Sequence, residues 1–238
     1  MSPTQTIPSK SESWRMFDTI SPRYDFLNHF LSFGLDRCWR RKLVNFLPAK
    51  ENQRLLDLAT GTADTILTFF QNTTKISSAV GIDLADKMLE IGRLKVEKKG
   101  LQNKITLNHA DASQIPFETQ SFDVVSMTFG IRNVIDPVIV LKEMHRVLKT
   151  AGRVLILEFS LPANPIVRIK HLFYLRYVVP FVGWIFSGNY HAYRYLKLTI
   201  EEFPYGEKFC RLMTQAGFQS VKAHPLFFGV ATIYQGDK

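Results

Sequence analysis

Small and acidic residues stand at the ends of two strand-like segments, where chemistry is expected. The segment LLDLATGTAD (55–64) ends in a glycine, Gly61, and a hydroxyl, Thr62, and Asp83 ends the next such run. In an open parallel sheet, ligands bind beyond the carboxyl ends of the strands. Glycine lets the backbone turn tightly and approach a ligand, and a carboxylate about 20 residues later typically binds the two hydroxyls of a ribose. These residues therefore predict a ligand that contains a nucleoside.

The number of glycines in this turn helps to distinguish a dinucleotide from other ligands that contain a nucleoside. A dinucleotide pyrophosphate calls for G-x-G-x-x-G, whereas ATGTAD (59–64) has one glycine and an acid, Asp64, that would repel phosphate. Asp57 and Asp64 suit instead the ammonium and sulfonium charges of S-adenosylmethionine; the alternative is that both acids only cap local turns. After the third strand-like run, Asp111 and Ala112 are suited to hold adenine. We therefore predict S-adenosylmethionine as the cofactor.

The segments around these residues alternate between strand and helix patterns. Such alternation favours a parallel sheet with helices on both faces. The predicted strands cover 54–60, 78–84, 104–111, 122–129 and 152–160, and the predicted helices begin near Asp64 and cover 86–99, 137–149 and 202–216. Two final strand-like runs meet near Gly229. We predict an α/β, Rossmann-like fold: a seven-stranded, mostly parallel sheet with a C-terminal antiparallel hairpin, as in class I S-adenosylmethionine-dependent methyltransferases.

Two segments fall outside this alternation within what we treat as a single domain, residues 14–238. Residues 14–47 show apolar residues at helical spacing and predict a cap of two or three short helices, broken at Pro22 and Gly34, after a flexible tail of residues 1–13. Residues 161–200 form an apolar, basic insertion after the fifth strand. Its centre (177–186) is too short and interrupted to span a bilayer.

The composition leaves several partners open. The net charge of +9 and pI near 9.6 suit nucleic acid, an anionic membrane surface or an anionic substrate equally well. The two cysteines, Cys38 and Cys210, show no spacing typical of a disulfide framework or a metal site. The polar N-terminus does not look like a secretory signal. We expect a cytoplasmic protein with free thiols and no bound metal.

Five segments in order resemble the quinone C-methyltransferases of menaquinone and ubiquinone biosynthesis. They are FDTISPRYDFLNHFLSFGLDRCWRR, DLATGTAD, FGIRNVIDP, MHRVLKTAGRVLILEFSLP and YRYLKLTIEEFP, within a similarity from Trp14 to the C-terminus. The resemblance implies methylation of a polyprenylated quinol on a ring carbon, from demethylmenaquinol to menaquinol, with a ubiquinone precursor as a second candidate substrate. It also implies that Thr62, Asp83, Asp111, Ala112 and Thr128 line the cofactor.

The sequence departs from the family pattern at several positions. Ala63 and Ala151 stand where the family usually has glycine, and we expect Ala63 to disfavour a positive φ. His191 and Ala192 stand where the family tends to have Asp and Ser, so acceptor contacts there are expected to differ.

The implied chemistry suggests a catalytic role for the arginine in TFGIRNV (128–134). A quinol ring carbon becomes a good nucleophile when the neighbouring hydroxyl loses its proton. Arg132 stays protonated and can stabilise the resulting oxyanion, with Asn133 as a second donor; the alternative for Arg132 is a structural salt bridge to Asp136 or Glu158. Tyr24 and Asp25 would bound the acceptor pocket or accept its proton, or else serve helix packing and capping.

The insertion suggests a function for part of the net positive charge. Apolar and aromatic residues flanked by lysine and arginine are typical of a segment that docks at a membrane surface. We therefore expect a peripheral protein at the inner face of the membrane that binds a polyprenyl quinol and no nucleic acid; the insertion could equally be a lid over the pocket. A methyltransferase for another lipid, and a nucleic-acid-binding protein or RNA methyltransferase, are the rival functions. The sequence does not decide between a monomer and a homodimer.

Overall fold

A seven-stranded sheet forms the centre of the protein, described here by a computed structural model for residues 9–182 and 190–238. Its strands are β1 (Gln53–Leu58), β2 (Ile76–Asp83), β3 (Ile105–His109), β4 (Phe122–Thr128), β5 (Leu148–Phe159), β6 (Gln219–Leu226) and β7 (Ala231–Asp237). They lie in the order β3-β2-β1-β4-β5-β7-β6. Strand β7 pairs antiparallel with β5 and β6, and the other neighbours pair in parallel. The predicted fold class is confirmed.

Helices cover both faces of this sheet. They are α1 (Ser13–Leu31), α2 (Leu35–Leu43), α3 (Asp64–Asn72), α4 (Asp86–Lys98), α5 (Pro137–Val147), α6 (Pro165–Phe173), α7 (Tyr190–Glu202) and α8 (Glu207–Gln215). Adjacent residues of a strand point to opposite faces, so Leu55 packs with Trp39 of α2, whereas Leu56 packs with Val140 of α5 and Phe209 of α8. Burial on both faces leaves the carboxyl edge of the parallel strands as the open end of the sheet.

The N-terminal segment folds into two α-helices, α1 and α2, within the predicted number of two or three, but only one of the two predicted breaks is present. Helix α1 continues through Pro22, so the predicted break there is wrong. Proline has no amide hydrogen to donate to the carbonyl four residues earlier, but Ser21 Oγ donates to that carbonyl, Asp18 O, at 2.9 Å. The second predicted break is confirmed, because Gly34 adopts φ 72° before α2. Residues 10–12 of the predicted tail form a 3₁₀ helix directly before α1.

The insertion after β5 is helical from Pro165 onward where the structure describes it. Helix α6 continues into a π-helical stretch, Tyr174–Val178, and the Tyr174 hydroxyl donates to Leu31 O of α1 at 2.7 Å. Residues 183–189, part of the predicted centre of the insertion, lie outside the described residues. Within residues 9–182 and 190–238, the helices all fall short of the length and apolar character needed to cross a bilayer. Contacts such as Tyr174–Leu31 tie the insertion to the N-terminal helices.

The C-terminal part differs from prediction at one break. The predicted helix 202–216 is the end of α7 followed by a separate helix α8, because Pro204 cannot continue a helical hydrogen-bond ladder and Gly206 adopts φ 65°. The predicted closing hairpin is confirmed: β6 and β7 meet at Gly229, whose φ is 89°. Cys38 and Cys210 are free.

Candidate active site

A first cavity of about 330 Å³ opens at the carboxyl ends of β1, β2 and β4. Its position agrees with the rule that open α/β sheets bind ligands at this edge. The strand ends and the N-terminal segment both contribute to its lining, which includes Gly61, Asp83, Asp111, Ala112, Thr128 and Asn133 from the former and Lys10, Ser13, Trp14 and Phe17 from the latter. The sequence predicted a common site for the first group except Asn133, which was expected beside the acceptor with Arg132 and instead lines this cavity. It gave no signal for the second group.

The Asp83 carboxylate is held in this cavity by backbone amides. Gly61 N–H donates to Asp83 Oδ2 at 2.8 Å and Ala85 N–H donates to Oδ1 at 2.9 Å. Gly61 reaches this position with φ 54°, a conformation that favours glycine. Burial raises the pKa of Asp83, while the backbone donors act in the opposite direction. Each oxygen is thus fixed by one donor and retains lone pairs for further donors such as ribose hydroxyls.

Two polar atoms at the floor of the first cavity lack partners. Thr128 Oγ1 and Asn133 Oδ1 are buried and have no hydrogen-bond partner among the described residues. An unsatisfied buried polar atom costs about 1–3 kcal/mol, so such atoms are rarely retained without a role. Both residues line the first cavity, which indicates that a ligand with polar groups satisfies them.

Thr62 lies outside the lining of the first cavity. Its hydroxyl donates to Asp25 Oδ1 at 2.7 Å and accepts from Lys95 Nζ at 2.9 Å. Lys95 also pairs with Asp25 and Asp64, each at 2.6 Å. These four side chains form a cluster, called here the Lys95 cluster, that fastens α1 to α3 and α4. Thr62 and Asp25 therefore hold the N-terminal helix, and the cofactor-lining role of Thr62 and the acceptor-pocket role of Asp25 stay predictions.

The two acids that suggested a sulfonium ligand also have structural partners. Asp64 belongs to the Lys95 cluster. Asp57 is 1% exposed and accepts a hydrogen bond from Ser126 Oγ at 2.5 Å, and burial raises its pKa to about 6. Neither residue lines the first cavity. Both acids thus have partners distant in sequence, which is neither the predicted ligand contact nor the local turn capping left as its alternative.

Arg132 forms a buried ion pair with Glu158, one of the two alternatives left open by the sequence. Arg132 Nη1 donates to Glu158 Oε1 at 2.8 Å and also donates to Phe129 O. The side chains are 4% and 0% exposed. Burial raises the pKa of Glu158, and the Arg132 charge and the backbone amide of Phe159, 2.8 Å away, oppose that rise. Arg132 Nε is buried and has no partner among the described residues.

Arg132 lines a second cavity, of about 320 Å³, between the N-terminal helices and the insertion. Most of its lining is apolar and comes from helices α1, α2, α6 and α7, the π-helical stretch and the end of β5. It includes Met16, Leu31, Trp39, Phe159, Leu175 and Ile200. Phe17 and Phe129 line both cavities. The TFGIRNV stretch is therefore divided, with Thr128 and Asn133 on the first cavity and Arg132 on the second.

Two residues that line the second cavity were not predicted as site residues, although one of them, Tyr195, lies in the YRYLKLTIEEFP segment. His171 and Tyr195 lie on the insertion helices α6 and α7, and the sequence offered only isolated positions without a partner spacing. Their apolar neighbours at helical spacing could have indicated which faces of these helices are buried. Tyr24 lies within α1, and nothing is described of its side chain, so its predicted role stays a prediction.

The two alanines that replace family glycines both adopt positive φ. Ala63 has φ 64° and Ala151 has φ 61°, so the expectation that Ala63 would avoid this conformation is wrong. Ala63 is fully buried, and a Cβ at Gly92 of α4 would come within 3.4 Å of the Ala63 methyl group. The absence of a side chain at Gly92 thus leaves room for the alanine that replaces glycine at position 63.

Comparison with known proteins places the chain in one family. Residues 7–238 match the ubiE/COQ5 methyltransferase family. The ubiquinone/menaquinone biosynthesis C-methyltransferase UbiE of Geotalea daltonii is 46% identical over 225 residues, covering 94% of this chain and 94% of that protein. The demethylmenaquinone methyltransferase of Thermus thermophilus is 43% identical, covering 94% of this chain and 100% of that protein. Both relatives are therefore similar along almost their whole length.

A solved structure shares the fold at lower sequence identity. A SAM-dependent methyltransferase of Thermotoga maritima, described as a possible histamine N-methyltransferase, superposes with a TM-score of 0.65 at 20% identity, covering 94% of this chain and 99% of that chain. The predicted methyltransferase fold, the S-adenosylmethionine cofactor and the resemblance to quinone C-methyltransferases are thus confirmed. The chain belongs to the ubiE/COQ5 methyltransferase family.

Proposed function

We propose that this protein transfers the methyl group of S-adenosylmethionine to a ring carbon of demethylmenaquinol, giving menaquinol. The observation that carries the proposal is the pair of adjoining cavities. The first presents polar strand ends, and the second is apolar apart from a few buried polar side chains, Arg132 among them. Because Phe17 and Phe129 line both, a cofactor in the first cavity and a ring in the second meet at this boundary.

The residues of the first cavity fit the cofactor. Asp83 would bind the ribose hydroxyls, Asp111 and Ala112 would bind adenine, and Gly61 would allow close approach of the backbone. Thr128 Oγ1 and Asn133 Oδ1 would gain the partners that they lack in the described structure. The cofactor supplies an electrophilic methyl group on a sulfonium, and the apolar walls exclude water from it.

Arg132 would act on the acceptor and not on the cofactor. A guanidinium repels a sulfonium but stabilises an oxyanion, and Nε is a donor left unused by the Glu158 pair. The pair with Glu158 fixes the guanidinium, which is the preorganisation that electrostatic catalysis requires. Proton loss from the quinol hydroxyl is favoured in this way, and the ring carbon gains electron density.

A polyprenyl substrate is dissolved in the bilayer, so the protein must bind it at the membrane surface. Exposed aromatic residues near the second cavity are suited to contact that surface. Phe173 is 59% exposed, Phe33 is 79% exposed and Phe228 is 75% exposed, and Arg168 and Lys170 of α6 lie close to Phe173 in sequence. Apolar groups would enter the headgroup region while the cations attract anionic lipid. We propose that these elements hold the mouth of the second cavity against the membrane.

A liposome sedimentation assay tests the membrane contact. Phe173→Ser and Phe228→Ser should each weaken binding to vesicles that contain anionic lipid. Leu94→Ser is the matched control, because Leu94 is 65% exposed but lies on α4, away from the insertion. Equal binding by all three variants would contradict this contact.

The quinone pool of a deletion strain tests the proposed substrate. Loss of the gene should leave demethylated menaquinone in the membrane, and the wild-type gene should restore the methylated form. A strain that also makes ubiquinone shows whether its precursor accumulates, which decides whether the protein has a second substrate. An unchanged quinone pool would refute the proposal and favour another methyl acceptor, such as a different lipid or RNA.

A further inference from the structure

The second cavity contains unsatisfied polar atoms besides Arg132 Nε. His171 Nε2 and the Tyr195 hydroxyl are both buried without a hydrogen bond of normal length to any described residue. Tyr195 is 4% exposed, and His171 as a whole is half-buried. Each such atom costs about 1–3 kcal/mol. A purely hydrocarbon occupant would leave all of them unsatisfied, so the occupant must carry polar groups.

A second tyrosine in the same cavity provides a contrast. Tyr174 also lines the second cavity, but its hydroxyl donates to Leu31 O at 2.7 Å. The Tyr195 hydroxyl has the Ser13 side chain as a polar neighbour, and Ser13 lines the first cavity. Tyr195 thus lies where the two cavities approach each other. The Ser13 side chain is a hydrogen-bonding neighbour of its oxygen, and the hydroxyl proton is available to donate to a ligand.

We propose that His171 Nε2 accepts the proton from the quinol hydroxyl and that the Tyr195 hydroxyl donates a hydrogen bond to a quinol oxygen. This inference rests on the proposed quinol substrate, and it names the proton acceptor and a further substrate-binding residue. Arg132 Nε then stabilises the oxyanion that His171 creates. The cavity thus offers one proton acceptor, His171, and two hydrogen-bond donors, Tyr195 and Arg132, to a quinol ring that carries two oxygens.

The proposed steps conserve atoms and charge. His171 Nε2 takes the hydroxyl proton, and the electron pair of the O–H bond passes into the ring. The ring carbon forms a bond to the methyl group while the S–CH₃ bond breaks, and its electron pair stays on sulfur. His171 passes its proton to water and then accepts the hydrogen of the methylated carbon as a proton, which restores the aromatic ring, and it returns that proton to the ring oxygen. One proton is released overall.

The electrostatic surroundings of His171 suit a base. Burial lowers its pKa, so the imidazole is neutral near pH 7. The other titratable side chains on the second cavity are Asp36, Arg132, Lys170, Tyr174 and Tyr195. Burial also raises the pKa of Tyr195, which keeps its hydroxyl protonated as a donor. The half-buried position of His171 gives its ring a route by which the proton can reach water.

Turnover of demethylmenaquinol by His171 variants tests the proton acceptor. General base catalysis contributes roughly 10²–10⁴-fold, so His171→Ala should lower kcat at least 100-fold and leave S-adenosylmethionine affinity unchanged. The wild-type rate should fall at low pH as His171 becomes protonated, and His171→Gln should lose this acid limb while it keeps the shape of the side chain. Retention of kcat and of the acid limb in His171→Gln would overturn the proposal.

Matched tyrosine variants test the donor. Tyr195→Phe should raise KM for the quinol about 5- to 10-fold, the size expected for one lost hydrogen bond. Tyr174→Phe should leave this KM within about 2-fold, because that hydroxyl already bonds to Leu31 O. Equal effects of the two changes would overturn the assignment of Tyr195.

A binding measurement separates failure of this inference from failure of the proposed substrate. Trp39 lines the second cavity, so its fluorescence should be quenched by a 1,4-naphthoquinone probe. Tyr195→Phe should weaken this binding about 5-fold and Tyr174→Phe should not. If wild type binds the probe but does not methylate demethylmenaquinol, the substrate proposal fails. If wild type methylates the quinol and the His171 and Tyr195 variants match it, this inference alone fails.

Discussion

The two cavities differ in how their polar groups are held. In the first, Asp83 is fixed by backbone amides of Gly61 and Ala85 at the ends of buried strands. In the second, Arg132 is held by Glu158, while His171 and Tyr195 project from helices outside the sheet and have no partners of normal hydrogen-bonding distance within the described residues. In the proposed function, the cofactor site is thus made by the strand ends of the sheet, and the acceptor site is added by helices outside it.

The largest expected effect comes from the buried pair that supports the second cavity. Arg132→Ala should lower kcat about 10²–10³-fold by removing an oxyanion donor and should destabilise the protein by about 3–5 kcal/mol, because Glu158 is left buried and unpaired. Turnover assays and urea unfolding measure the two losses. The double variant Arg132→Met/Glu158→Gln should recover most of the stability and none of the activity. Recovery of both would assign the pair to folding alone.

The next effect concerns the first cavity and should leave the second unchanged. Asp83→Ala should weaken S-adenosylmethionine binding about 10- to 100-fold, since charged hydrogen-bonding groups contribute about 1.5–3 kcal/mol, and should not change the affinity for a naphthoquinone probe. Isothermal titration measures both ligands. Asp86→Ala is the control, because Asp86 is exposed on α4. Normal cofactor affinity in Asp83→Ala would contradict the ribose assignment.

A smaller effect should follow from loosening the N-terminal helix that lines both cavities. Lys95→Met removes the cation shared by Asp25, Thr62 and Asp64. Because Lys95 and the two carboxylates are about a quarter exposed, we expect a loss of about 1–2 kcal/mol in the free energy of unfolding. Limited proteolysis should also become faster within α1.

Lys98→Met is the control for this change. Lys98 is exposed on the same helix and should tolerate the change within about 0.5 kcal/mol. Equal stability and equal proteolysis rates for the two variants would show that the Lys95 cluster does not hold α1.

The smallest effect distinguishes the two alanines with positive φ. Ala151→Gly should stabilise the protein by about 0.5–1 kcal/mol, because relief of about 1–2 kcal/mol of strain exceeds the entropy cost of glycine. Ala63→Gly should be close to neutral, because it also removes a buried methyl group that contributes about 0.8 kcal/mol. Thermal unfolding measures both. A larger gain at position 63 than at 151 would show that the Ala63 methyl is poorly packed.

The sequence predicted most of the fold and much of the first cavity, for a physical reason. Strand ends and glycine turns are local features, so Gly61, Asp83, Asp111, Ala112 and Thr128 could be placed at one edge from their positions along the chain. Thr62 differs, because its hydroxyl donates to Asp25 and accepts from Lys95, and both partners are distant in sequence.

The second cavity was much harder to predict. Arg132 could be recognised as a candidate, but its pairing with Glu158 or Asp136 depended on the register of β4 and β5. His171 and Tyr195 come from separate helices of the insertion, so no local spacing joins them. The helix break predicted at Pro22 was wrong because the Ser21 side chain donates a hydrogen bond to Asp18 O, the carbonyl that proline leaves without a backbone donor.

The most direct test of the proposed function is methyl transfer by the purified protein to demethylmenaquinol in liposomes, with a methyl-labelled S-adenosylmethionine and mass spectrometry of the extracted lipids. We expect one label per ring in menaquinol, from wild type and not from Arg132→Ala. Label in a phospholipid or in added RNA, with none in the quinol, would contradict the proposed reaction.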